Sequence, residues 1–452
     1  METFTLGTGA SIYTQRLLPA ILSAQHEIIL VTCFWARSKT LTALSNALEQ
    51  LARQRETQQA QARQLQDHQH ESQQPALPLR VRICFSSRSI LQKLSHTSST
   101  DGYVYPKSAW AGTLGLPAPE VMAAGNIELE VKSLFFLPFS VMHPKFLIVD
   151  RRRAFVPSCN VSWEAWLEGC LELSRRAPRD DPVDGLLEFY RTVWNKDLDL
   201  GSSLPPLTQQ ASANGLEEEI VKSPADATAR LVDVEVPATA VDWLPGWHHR
   251  DPSFCFLPWK TSSAPDTPLN TTILRLFNEA SRDVYVQTPN LTSPPVLSAI
   301  DKALARGVDV TIVTSRRMML LEQLVTAGTT TGWCIRGLIK RYQRLGGSAA
   351  VDLEAQAITP GVLQISYFRS ASGSTSSEEP VHSHLKLSIF DGQHTVLGSG
   401  NMDRASWFTS QELGVLIHQS AEFATRIKNT VEEVLDGRLD CVVPASRNGS
   451  GS

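Results

Sequence analysis

His143-Pro-Lys145-Phe-Leu-Ile-Val-Asp150 and His384-Leu-Lys386-Leu-Ser-Ile-Phe-Asp391 are the two stretches that organise this 452-residue chain. After six further residues each leads into a short run ending in asparagine, Pro157-Ser158-Cys159-Asn160 in the first copy and Gly398-Ser399-Gly400-Asn401 in the second. His, Lys, Asp, Ser and Asn therefore recur at identical intervals. One short motif is weak evidence, but two complete copies at matching places in a repeat are strong.

Side chains two apart on a strand share a face, so His143 and Lys145 point one way, as do His384 and Lys386. The apolar residues after each lysine continue the strand. Turns are expected at Arg151-Arg152 and Gly392-Gln393, followed by a return strand. A two-residue turn sets His143 opposite Asn160 and Lys145 opposite Ser158, and likewise His384 opposite Asn401 and Lys386 opposite Ser399. Each motif then reads as a hairpin presenting one polar patch. Asp150 and Asp391 fall at the far end, over about 20 Å from the histidines at about 3.3 Å per residue. They are expected to serve structure, through hydrogen bonds at the turn or a salt bridge between halves.

Outward from the motifs, the surroundings repeat as well. Leu17 to Ser23 reads as a helix, 28–31 as a buried strand, 41–53 as a helix and 79–86 as a strand. The second half runs through the same order at 272–280, 284–286, 296–306 and 308–313. Strands alternating with helices imply an α/β architecture in each half. The expected organisation is a first half over 1–196, a linker or insertion over 197–266 and a second half over 267–445. Residues 54–75 read as a solvated helix extension or a loop, and 370–379 as a second loop. The aromatic stretch from Trp243 to Trp259 is expected to pack against a domain.

Composition narrows the class. The net charge of −4 does not suggest a general nucleic-acid coat, although a local basic groove is compatible with it. Seven dispersed cysteines without a CxxC pair fit free thiols in a reducing compartment. The N-terminus lacks the pattern of a signal peptide, and no run reaches the ~18 apolar residues that a membrane span needs. The chain reads as soluble, in the cytoplasm or peripheral at an intracellular membrane.

The pattern H-x-K-x4-D-x6-G-S-x-N resembles the signature of the phospholipase D superfamily, over both halves from about residue 10 to 440. The resemblance implies two pseudo-twofold related α/β/α halves with mixed sheets, the motifs meeting at their interface, and chemistry that needs neither metal nor cofactor. The residues suit that chemistry. Lys145 and Lys386 can bind the non-bridging oxygens of a phosphodiester, with Ser158, Asn160, Ser399 and Asn401 donating further hydrogen bonds. One imidazole can attack phosphorus to form a phosphohistidine while the other protonates the leaving alcohol and activates its replacement. The spacing does not say which histidine attacks; resemblance favours His143 as nucleophile and His384 as acid/base. Members of the family often carry a carboxylate after each motif that orients its histidine. Glu412 matches that position in the second half. Glu172 is the first-half candidate, and Glu168 is its rival.

The first motif departs from the pattern at Pro157, where glycine is usual. Proline lacks an N–H, so it could impair donation near a phosphate or simply reshape the turn. Arg151-Arg152-Arg153 reads as a surface cluster, with a headgroup or phosphate contact as the alternative, and His382 as an ordinary surface or core histidine, with a place beside His384 as the alternative. Thr32 to Trp35 and Thr288 to Asn290 follow corresponding strands and are either pocket-lining or packing residues. Three functions compete. Phospholipid hydrolysis or phosphatidyl transfer, in the manner of cardiolipin synthases, leads, with 134–139, Trp243 and Trp247 as features for peripheral membrane contact. A nuclease acting on DNA or RNA is the second, and would need a basic, aromatic-lined groove. A non-catalytic scaffold is the third.

Overall fold

Two mixed sheets are built to one plan. The computed structural model describes residues 2–69, 77–87, 102–136, 140–162, 164–176, 181–194, 198, 204–207, 231–236, 241–253, 263–349, 359–370 and 380–444. The strands are β1 (Glu2–Thr8), β2 (Glu27–Phe34), β3 (Leu79–Ser87), β4 (Tyr103–Val104), β5 (Ile127–Ser133), β6 (Phe135–Phe136), β7 (Ser140–Val141), β8 (Phe146–Val149), β9 (Arg153–Pro157) and β10 (Trp166–Ser174). They continue with β11 (Val232–Val236), β12 (Val241–Trp247), β13 (Asp283–Thr288), β14 (Asp309–Thr314), β15 (Leu363–Phe368), β16 (His382–Ser383), β17 (Leu387–Phe390), β18 (His394–Gly398), β19 (Gln411–Ile417) and β20 (Leu439–Val443).

The first sheet runs β11-β1-β10-β9-β8-β2-β3-β5-β4, and the second β12-β19-β18-β17-β13-β14-β15-β20. From β1 to β4 in that first order, every neighbouring pair has a counterpart of the same sense in the second sheet. β2-β3-β5 and β13-β14-β15 are parallel, and the rest antiparallel. This is the two-half α/β architecture that the repeat implies. The parallel strands are continuous apolar runs because helices cover the outer face. Lys39–Gln69 closes the first sheet; Pro268–Glu279, Pro294–Ala305 and Thr331–Ala349 close the second. A third core lies between the halves. Phe4, Ile29, Phe146 and Ile148 share it with Tyr285, Leu387, Ile389 and Val415, together with the helices Pro182–Val193 and Ala421–Leu435.

The stretch expected to be a linker gives each sheet an edge strand: β11 pairs with β1, and β12 with β19. Trp243 packs as expected and donates through Nε1 to the Pro182 carbonyl at 2.8 Å. Helix Lys39–Gln69 runs well into the Gln-rich stretch; residues 70–76, 371–379, Phe254, Trp259 and the C-terminal Gly/Ser run lie outside the described residues.

The hairpin turns are one residue longer than the spacing predicts. Val149 pairs with Arg153, and Phe390 with His394, so 150–152 and 391–393 form three-residue turns. The aspartates explain why. Asp150 sits at φ 50° and Asp391 at φ 52°, a left-handed conformation that aspartate tolerates when its side chain finds local hydrogen bonds. Asp150 accepts from the backbone N–H groups of Gln25, His26 and Glu27 at 2.7–2.9 Å. Asp391 accepts from Ser281, Arg282 and Asp283 in the same way. Each motif aspartate thus ties its turn to the start of the next strand. The shift removes the facing pairs of the two-residue turn, and the ladders stop at Phe146 and Leu387. His143, Lys145, His384 and Lys386 lie outside the strands, just before them.

Arg151 is a further correction to the surface cluster: it is buried, and its guanidinium grips Glu27 at 2.6 and 3.2 Å. The features expected to meet a membrane are packed as well, so far as they are described. Leu134 and Phe135 are buried, and Phe136 stacks on His249 at 4.0 Å between centroids. Replacing Asp150 by Ala strands three backbone donors and should cost about 2–4 kcal/mol. An unfolding midpoint in urea equal to that of the unaltered chain would contradict the role given to this carboxylate.

Candidate active site

Each motif histidine is held by the other half of the chain. Met142 forms a parallel bridge with Gln411, and the His143 N–H donates to the Gln411 carbonyl at 3.0 Å. Symmetrically, β16 adds to β10 in parallel, and the His384 N–H donates to the Leu167 carbonyl at 2.9 Å. The backbone exchange brings the rings onto carboxylates across the interface. His143 Nδ1 lies 2.9 Å from both oxygens of Glu412, 269 residues away in sequence. His384 Nδ1 lies 2.9 Å from Glu168 Oε1, 216 residues away.

This changes two sequence expectations. The carboxylates orient the histidine of the opposite motif rather than their own, and the first-half carboxylate is Glu168, not Glu172. Glu172 is spent on Arg153, whose Nη2 it meets at 2.7 Å. Its following leucine misled the alignment. The better landmark is the ladder: Ser158 N–H bonds to the carbonyl of Gly169, and Ser399 N–H to that of Leu413, the residues directly after Glu168 and Glu412.

The serines are a third correction. A hydroxyl has one proton to give. Ser158 donates its proton to Glu168 and accepts from Gly169 N–H; Ser399 donates to Glu412 at 2.5 Å and accepts from Leu413 N–H. Both therefore fix a carboxylate instead of meeting a phosphate. Lys145 and Lys386 are buried and curl back, each Nζ donating to the carbonyl of its own motif histidine at 2.7 Å. Each ammonium keeps further N–H donors after that bond.

The asparagines differ. Asn160 accepts at Oδ1 from Phe34 N–H, and its buried Nδ2 has no protein partner among the described residues. Asn401 commits Nδ2 to Asp403 at 3.0 Å. Asp403, which the motif spacing does not single out, also caps the helix Arg404–Phe408 by accepting from Ser406 N–H at 2.8 Å. The first half has Ser162 at the equivalent place. Trp166 is another neighbour missed from sequence, edge-on to His384 with centroids 5.2 Å apart and to His382 at 5.5 Å. Thr32 and Phe34 hold Asn160, Thr288 accepts from Met402 N–H, and Trp35 is buried packing. Pro157 sits in the β9–β10 ladder opposite Cys170. Its counterpart Gly398 has φ 144°, and a Cβ there would lie 2.3 Å from the Leu413 carbonyl oxygen, so only glycine fits.

Burial governs the proton affinities. It lowers His384 to about 4 against the pull of Glu168, with the like charges of Lys386 and Lys145 assisting. It lowers His143 too, Glu412 opposing and both lysines again adding to the effect. Lys386 falls to about 7, through burial and the nearby Lys145 charge, despite Glu168 and Glu412. Burial alone would raise Glu412, but the charge and hydrogen bond of His143, with the bonds from Ser399 and Ser406, outweigh it and hold the carboxyl at about 2. Glu168 is lowered in the same manner by His384. Burial raises Asp403. Each lysine acts on both imidazoles, so the two motifs form one electrostatic cluster.

Residues 273–435 match the family model described as cardiolipin synthase, PLD-like domain. Over those residues the second half of the chain carries a phospholipase D-like domain. The phospholipase D fold extends over nearly the whole length of the chain. Phosphatidylserine synthase of Haemophilus influenzae Rd KW20 superposes with a TM-score of 0.53 at 16% identity, covering 97% of this chain and 87% of that one. Nuc, a phospholipase D family member of Salmonella typhimurium, is 19% identical over 39% of this chain and 91% of its own, with a TM-score of 0.26. Polyphosphate kinase of Porphyromonas gingivalis is 10% identical over 95% of this chain and 47% of its own, at 0.47. No curated protein matches in sequence.

The crossing is directly testable. Glu168→Gln should lower the His384 proton affinity further and leave His143 nearly unmoved, and Glu412→Gln the reverse, followed by imidazole NMR titration. A Glu168 substitution that moved His143 and not His384 would overturn the crossed assignment.

Proposed function

We propose that this chain is a phospholipid phosphodiesterase or phosphatidyltransferase that works through a covalent phosphohistidine, independently of metal. What supports the reading above all is the pair of imidazoles, each held at Nδ1 by a carboxylate of the opposite half, within reach of both lysine charges. Fixing Nδ1–H on a carboxylate sets the tautomer and leaves Nε2 as the atom for chemistry. On this reading Lys145, Lys386 and the Asn160 amide hold the non-bridging oxygens. Positioned cations in a buried site stabilise charge that builds on phosphorus far better than they would in water.

His143 Nε2 attacks phosphorus as the P–O bond to the leaving alcohol breaks, and His384 gives that alcohol its proton. A resting His384 near 4 is neutral, so the anionic diester itself must raise its affinity on binding; the same neutral ring suits the second step, taking a proton from water or an acceptor alcohol. Glu412 and Glu168 stay ionised and steady the imidazolium that forms on either side. Lipid is favoured over nucleic acid by the family description of the matched domain and by the net charge of −4.

Purified protein should hydrolyse phosphatidylglycerol or phosphatidylcholine, and Lys386→Ala should lower kcat on the order of a thousandfold. Cleavage of single-stranded DNA alone would replace the lipid reading, and no variant-sensitive turnover of any diester would favour a scaffold. The pH profile has a stated sign. As pH rises through about 7, Lys386 loses its proton and kcat/KM should fall; in acid, protonation of the nucleophile His143 should lower it again, whereas protonation of His384, the general acid, should not. A profile flat from neutral to pH 9 on the order-of-magnitude scale would contradict a protonated Lys386. Enzyme denatured in alkaline detergent during turnover should carry a phosphatidyl adduct that is lost in His143→Ala; an adduct surviving there would make His384 the nucleophile.

A further inference from the structure

The helix Leu320–Ala327 is built inside out. Its polar Gln323 is buried, while Leu320, Leu321, Leu324 and Val325 form an exposed stripe, Leu321 at 76% and Val325 at 63%. Side chains at these spacings lie on one helical face. Gln323 explains why this face cannot turn inwards. Its Nε2 donates to the Met318 carbonyl at 2.6 Å and reaches the Asn290 amide, and its Oε1 accepts from Thr331 N–H at 2.6 Å and from the Thr331 hydroxyl. Those bonds pin the helix between the end of β13 and the start of Thr331–Ala349, with its apolar side outwards. Trp333 extends the stripe at 54% exposure.

Cations border it. From Ser315 to Leu345 the sequence has Arg316, Arg317, Arg336, Lys340, Arg341 and Arg344 against a single acid, Glu322, in a chain whose overall charge is −4. Arg316, Arg317, Arg336 and Lys340 are exposed, and Arg336 and Lys340 share the outer face of their helix with Trp333. Arg341 is paired, with Asp301 at 2.7 Å. The patch adjoins the site. Ser315, at its root, donates to the carbonyl of Ser383, the residue before His384, and Leu320–Ala327 packs on Arg404–Phe408, which starts three residues after Asn401.

We infer that Leu320–Ala327, Trp333 and the surrounding arginines and lysine form the surface by which this protein docks on an anionic lipid bilayer, with the active site at its edge. An exposed apolar helix face flanked by cations is the pattern that enters the headgroup region, where apolar side chains leave water and cations meet acidic headgroups. A nucleic acid would satisfy the cations but leave the leucines and valine uncovered, with Trp333 as the one large ring for stacking. The membrane contact thus falls on residues that are polar-cored and apolar-skinned, away from 134–136 and the tryptophans of β12. The inference rests on the phospholipid reading for its biological sense, and no helix among the described residues is long and apolar enough to cross the membrane instead.

The test is sedimentation with vesicles of phosphatidylcholine alone or of equal parts phosphatidylcholine and phosphatidylglycerol. It is run beside turnover of a short-chain phosphatidylglycerol below its micellar concentration. The unaltered protein should bind the anionic vesicles preferentially, and less at high salt. Leu321→Glu/Val325→Glu and, separately, Arg317→Glu/Lys340→Glu should each weaken binding by at least about tenfold. Neither pair touches the reacting groups, so turnover of the monomeric substrate should be unchanged. Turnover without vesicle binding, or binding untouched by both variants, overturns the docking surface and leaves the enzymatic reading standing. Vesicle binding lost in both variants, with no turnover of any diester, supports the surface and sinks the enzymatic reading. Two further outcomes overturn the inference: single-stranded DNA bound through the cations with the Leu321/Val325 pair irrelevant, or a dimer that those two substitutions dissolve while vesicle binding persists.

Discussion

The structure depends on an exchange of partners between its halves. Each sheet hands the segment carrying its motif histidine to the other sheet's strand, so backbone hydrogen bonds to Gln411 and Leu167 precede and enforce the His143–Glu412 and His384–Glu168 contacts. Neither half holds a complete site. A lone half would bury an imidazole facing no carboxylate and a carboxylate facing no imidazole. Removing one partner of a buried pair in this way typically costs about 3–5 kcal/mol. The shared core from Phe4 and Ile148 to Leu387 and Val415 supplies the apolar burial that brings the halves together. The crossed pairs give that association one register.

The same exchange explains the unusual charge density. Two lysines, His384 and three carboxylates are buried within one cluster, with His143 half-buried beside them. Isolated, each would shed its charge, since desolvation outweighs any single contact. Here each serine hydroxyl is turned to a glutamate and each lysine to a backbone carbonyl, so the polar groups are largely satisfied before any ligand arrives. Among the described residues, the Asn160 amide is one of the buried polar groups left without a protein partner. The two halves are not equal copies. Asp403 stands in the second half where Ser162 stands in the first, and Gly398 where Pro157 stands, which gives the two imidazoles different surroundings.

Much of this was legible in the residues. The duplicated intervals pointed to both histidines and both lysines, which the structure brings into one cluster, and the alternation of strands and helices around them is that of the two halves. Three things were not legible, each for a physical reason. The turn length hung on Asp150 and Asp391 adopting a left-handed backbone to reach N–H groups more than a hundred residues away, which no local rule contains. Glu168 lost to Glu172 because the segment from Ser to Glu is three residues shorter in the first half, where the helix Arg404–Phe408 has no counterpart among the described residues. Ser158 and Ser399 looked like phosphate ligands because spacing shows where a hydroxyl lies along a strand and not which neighbour takes its proton.

The claim beneath all of this is that the two motifs make one site. Intact-mass measurement of the enzyme, denatured at alkaline pH during turnover of a diester so that the acid-labile phosphohistidine survives, tests it most directly. One shared phosphorus position predicts at most a single phosphoryl adduct per chain, however high the substrate concentration. A population carrying two adducts on one chain would mean that the histidines react independently, and the shared site would have to be abandoned.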